Sequence, residues 1–112
     1  MSWKVTVRHG PSVSRERVES LETALAQARQ AVDDVRREGG LPTLSAFRDY
    51  TPDRRVHARI EIDGPGILRG KQGGIDVMGD GTVVPYIGAI RKRELGADSL
   101  DDAFERLREA LH

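Results

Sequence analysis

The chain has 112 residues, 12.4 kDa of mass and 38% hydrophobic side chains, which is the size of one domain with material for one core. Eighteen Lys and Arg cancel eighteen Asp and Glu, which excludes the uniformly cationic character of a sequence-independent nucleic-acid binder. With no cysteine, disulfides, thiolate metal sites, iron–sulfur clusters and cysteine nucleophiles are excluded too.

Trp3, Val5 and Val7 alternate with Lys4, Thr6 and Arg8, the period of a half-buried strand. After the turn-forming cluster His9-Gly10-Pro11-Ser12, residues 13–19 can return antiparallel as a charged second strand. Ser20 then precedes an apolar stripe at Leu21, Ala24, Leu25, Ala28, Val32 and Val35. The stripe predicts an amphipathic helix that stops at Gly39-Gly40. Residues 41–55, with Pro42, Pro52 and scattered apolar side chains, keep no period and form the longest irregular segment.

The clearest strand follows, with Val56, Ala58, Ile60 and Ile62 facing a core and His57, Arg59, Glu61 and Asp63 facing solvent. Residues 75–78 and 82–90 flank Gly79-Asp80-Gly81, a hairpin turn signal, and predict two more strands. Ser99 caps a last helix with Leu100, Ala103, Phe104, Leu107, Ala110 and Leu111 on one face and Asp101 and Asp102 in the first turn. The order β(β)αβββα predicts a single α+β domain over residues 1–112: a four- or five-stranded, mainly antiparallel sheet with two helices on one face. The start of the chain lacks the apolar stretch of a signal peptide, and no membrane-length apolar run occurs. The expectation is a cytoplasmic protein without membrane contact.

Tests for chemistry give little. Seven of the twelve glycines fall between Gly64 and Gly81, but around Gly70-Lys71 a phosphate loop lacks its first glycine (Pro65) and its hydroxyl (Gln72). The dinucleotide and calcium-loop patterns fail as well. Turns, bulges and close backbone approach in a sheet explain these glycines better. The row His57, Arg59, Glu61 and Asp63 could host acid–base chemistry, yet a solvated strand face explains it more simply. His9 sits at a turn and His112 at the end, so no catalytic residue, cofactor or metal is expected, and an enzyme is the less favoured class.

Two kinds of surface remain. A sparsely covered strand around Gly73, Gly74, Ile75 and Val77 is a candidate edge-strand contact for a second copy or another protein. Arg48, Tyr50, Arg54, Arg55, His57 and Arg59 form a candidate anion or partner surface, joined by Lys4, Arg8, Arg15, Arg17 and Arg91-Lys92-Arg93 if the strands bring them to one face. Residues 1–60 carry 11 cations to 8 anions and residues 98–112 carry 2 to 5, so the neutral total conceals an uneven distribution. The leading expectation is a non-enzymatic interaction or regulatory module that binds itself or another protein through a sheet edge. The alternative is an arginine-based nucleic-acid or anion-binding protein.

Overall fold

The computed structural model describes residues 2–38, 56–65, 71–88 and 93–112. In chain order these form β1 (Trp3–His9), β2 (Ser12–Val18), α1 (Leu21–Arg37), β3 (Val56–Asp63), β4 (Gln72–Met78), β5 (Val83–Ile87), β6 (Arg93–Glu94) and α2 (Leu100–Leu111). The class is α+β. The strands make one antiparallel sheet in the order β2-β1-β3-β4-β5-β6.

Alternation along each strand decides which face is covered. Val5 pairs with Ile62 and Val7 with Ile60, while Ile60 pairs with Ile75 and Ala58 with Val77. These side chains join Ala24, Leu25, Ala28, Val32 and Val35 of α1 and Ala103, Phe104, Leu107 and Leu111 of α2 in one core. Helix α1 lies against β1 and β3, and α2 against β4 and β5. Among the described residues, no element packs on the other face.

Both helices start as their sequences predict. Ser20 accepts the Thr23 N–H and Ser99 the Asp102 N–H, each satisfying a donor left free in the first helical turn. Asp102 reaches back to the Asp98 N–H, one residue before the cap. That contact and the Arg106 guanidinium hold its carboxyl below the ordinary range. The β1–β2 loop is tighter than the sequence suggests: His9 pairs with Ser12, so Gly10 and Pro11 alone make the turn. Gly10 has a φ of 59°, which a residue without Cβ adopts at little cost.

The structure corrects three expectations. The sheet has six strands, because Arg93–Glu94 adds a short sixth beside Tyr86 and Ile87. Leu95 N–H donates to Pro85 O at 2.8 Å, and proline has no N–H to return, so this outer ladder is one-sided. The second correction concerns β4, a candidate edge strand by sequence. It starts at Gln72 and pairs with β3 on one side and β5 on the other. The backbone of Gly73, Gly74, Ile75 and Val77 is therefore engaged on both sides and cannot add another strand.

The third lies in β3. Val56 pairs with Met78 and Ala58 with Val77, so His57 is an extra residue, a bulge. The bulge breaks strict alternation. Val56, expected in the core, is 46% exposed.

Candidate binding face and histidine pair

The helix-free face is built from the residues that alternate with the core. It carries Val13, Arg15 and Arg17 from β2, and Lys4, Thr6 and Arg8 from β1. Arg59, Glu61 and Asp63 come from β3, Gly74 and Asp76 from β4, and Val84 and Tyr86 from β5. Neighbouring same-face residues along a strand are about 7 Å apart. The register sets Lys4 opposite Arg17, Thr6 opposite Arg15 and Arg8 opposite Arg59. Two of these three pairs juxtapose like charges, an arrangement that costs stability unless other groups compensate.

In the β3–β5 half, compensation is complete. Arg59 binds Asp76 through two hydrogen bonds, Nε to Oδ1 at 2.6 Å and an Nη to Oδ2 at 3.1 Å. This fork holds the guanidinium more firmly protonated than usual. The same guanidinium lies 5.6 Å from the centre of the Tyr86 ring. Tyr86 is 3% exposed, and burial raises its phenol above the ordinary value. The ring sits over Gly74, its partner across the strands. A Cβ at Gly74 would meet Tyr86 Oη at 2.7 Å and the Ile60 carbonyl oxygen at 2.2 Å. Arg8 is balanced by Glu61 at 3.1 Å.

In the β1–β2 half, by contrast, Lys4, Arg15 and Arg17 have no ion pair among the described residues. Arg17 reaches only the Ser2 hydroxyl, at 3.4 Å. Strand β2 is exposed along Ser12–Arg17, with Val18 alone buried.

The predicted anion surface is only partly placed. Arg48, Tyr50, Arg54, Arg55, Arg91 and Lys92 lie outside the described residues, and Arg93 is exposed on β6. His57 and Arg59 are described and do not act together: Arg59 pairs with Asp76 on the helix-free face, whereas the bulge turns His57 toward His9 and the end of α1. The acid–base row is thereby dispersed. Arg59 is consumed by Asp76, Glu61 by Arg8, and the imidazole has left the row.

Sequence reasoning missed what His57 meets. Its Nε2 lies 3.1 Å from His9 Nε2, with the rings edge to face and centroids 4.6 Å apart. Glu38, which caps the C-terminus of α1, places Oε2 3.3 Å from His9 Nδ1. Burial, and then the His9 charge, lower the His57 pKa from 6.5, with Glu38 opposing. The pair lines a cleft with Arg8, Gly10, Pro11, Val56 and Arg59. The available signal was antiparallel pairing of the two clearest strands, which brings the end of β1 to the start of β3. Among the described residues, no group of three or more metal-ligating side chains converges.

No protein-family model, curated protein or solved structure matches the chain. The surface itself therefore carries the functional argument. Three cations that make no ion pair among the described residues, on the face those residues leave without a helix, can hold phosphate or carboxylate groups. They supply no nucleophile or general base. No helix among the described residues is long and apolar enough to cross a membrane.

Proposed function

We propose that this protein is a non-enzymatic binding module that takes a polyanion, in the first instance a nucleic acid, on the helix-free face of its sheet at the β1–β2 end. The observation that supports this reading is the register that sets Lys4 against Arg17 and Thr6 against Arg15, with no ion pair at Lys4, Arg15 or Arg17 among the described residues, although Asp63 stands opposite Lys4 on the β3 side. Like charges facing each other across a pair are relieved when phosphates lie between them. Base stacking is not part of this reading: among the described residues, Tyr86 is the one aromatic side chain of this face, and it is buried under Arg59. The contacts go to the phosphate backbone, so binding is tolerant of base sequence.

Binding of labelled single- and double-stranded oligonucleotides, followed by fluorescence anisotropy from about 50 to 200 mM salt, tests this. Three phosphate contacts give a log–log salt slope of about −3 on duplex DNA, and Arg15→Ser with Arg17→Ser reduces it to about −1. No binding at the lowest salt, or a slope unchanged in the double variant, overturns the reading.

A second reading, addition of an extended partner segment to the edge strand β2, rests on the exposure of that strand. A second copy of the chain is the less favoured partner. A two-fold antiparallel dimer keeps equivalent faces together, so its β2 register must centre on a residue. Centring on Arg15 sets that arginine against its symmetry mate, and centring on Glu16 sets Glu16 against itself and Arg15 against Arg17; centring on Ser14 avoids like charges but leaves a shorter overlap of β2 with its copy. Charges of this kind on an edge strand oppose self-pairing.

A further inference from the structure

The histidine pair lies on the opposite side of the sheet from the cationic face. It is assembled from three separate elements: the last residue of β1, the bulge of β3 and the C-terminal cap of α1. We infer that His9 and His57 form a binding site for a late first-row divalent cation, Zn²⁺ in the first instance, with Glu38 orienting His9 from outside the coordination sphere.

Two metal–nitrogen bonds of about 2.1 Å whose nitrogens stand 3.1 Å apart meet at about 95°, within the range of adjacent ligands around one cation. The edge-to-face arrangement of the rings brings the two Nε2 atoms together at one point. Glu38 beside His9 Nδ1 favours the tautomer with its proton on that nitrogen, which leaves the Nε2 lone pair free. A carboxylate on the outer nitrogen of a ligating imidazole is a recurring support of zinc sites. Two imidazoles suit Zn²⁺ or Ni²⁺ rather than Ca²⁺ or Mg²⁺, which take oxygen donors. With two protein ligands among the described residues, water completes the coordination.

Without a cation, the same atoms make one imidazole–imidazole hydrogen bond, from a proton on His57 Nε2 to His9 Nε2. The cation displaces that bond, and His57 then carries its proton on Nδ1. Coordination would tie the Gly10-Pro11 turn, the β3 bulge and the end of α1 together.

The test is calorimetric titration of the full, tag-free chain with ZnCl₂, alongside imidazole nitrogen chemical shifts by NMR. The expected result is one Zn²⁺ per chain with both Nε2 resonances displaced. His9→Ala and His57→Gln each weaken binding more than about tenfold, and Glu38→Gln weakens it about tenfold with unchanged stoichiometry. Circular dichroism confirms folding of each variant, and His57→Gln serves if His9→Ala does not fold. No binding by the wild type, or equal affinity in wild type and His57→Gln, overturns the proposal and leaves an imidazole–imidazole hydrogen bond only.

Discussion

The two halves of the helix-free face are made of the same residue types and differ in whether their charges are answered. In the β3–β5 half, Arg59 is forked by Asp76 and laid over Tyr86, and Tyr86 fills the space that Gly74 leaves. In the β1–β2 half, Lys4, Arg15 and Arg17 make no ion pair among the described residues, and only Lys4 has a carboxylate, Asp63, across from it. One half spends its polar groups on the fold, and the other is the end proposed to bind a partner. Fold stability should therefore depend on the first half and ligand binding on the second.

The largest effect that can break this comparison is at Gly74. A Cβ there meets the Ile60 carbonyl at 2.2 Å, a backbone atom that cannot turn aside. Gly74→Ala should cost about 2–3 kcal/mol by denaturant unfolding, and a smaller residue at Tyr86 should not restore it. Next comes the contrast between charges. Asp76→Asn removes the carboxylate from a half-buried fork and should cost about 1–2 kcal/mol, whereas Arg15→Ser and Arg17→Ser should each change stability by less than about 0.5 kcal/mol. Equal losses in the two halves would remove the distinction.

The smallest effect sharpens a different boundary, that between the two faces. His57 has a folded-state pKa below its unfolded value of 6.5, so the unfolded chain binds more protons in that window. Its contribution is present above pH 6.5 and is lost as pH falls through the lower folded-state value. In chelator-treated buffer the unfolding midpoint should drop between about pH 7.5 and 5.5, and His57→Gln should flatten that dependence. An equal drop in the variant would place the titration elsewhere.

The helices were legible because their signals are local: Ser20 and Ser99 in front of apolar stripes that repeat every three or four residues. The β4–β5 hairpin was legible for the same reason. Asp80 accepts the N–H and hydroxyl of Thr82, which fixes the turn and lowers the Asp80 pKa. Counting back from that turn sets Gly74 against Tyr86, a pairing the sequence contains but periodicity alone does not display. A glycine-rich strand looks unprotected when each residue is judged by its own side chain. Here the protection comes from the ring across the hairpin. The order of strands, the bulge at His57 and the meeting of two histidines 48 residues apart depend on long-range pairing, and no local pattern records them. Candidate residues Lys4, Arg8, Arg15 and Arg17 could be named from sequence, but only the register shows that they share a face.

The strand order β2-β1-β3-β4-β5-β6 has a kinetic consequence. Every neighbouring pair is a hairpin of consecutive strands except β1 with β3. The chain thus divides into two locally wired pieces, β1–β2–α1 and β3–β4–β5–β6–α2, each able to gain structure from nearby contacts. The seam between Lys4–His9 and Ala58–Asp63 is where loop-closure entropy is lost before contacts repay it. The expectation is that the two pieces meet there late in folding, and the histidine pair stands at one end of the join.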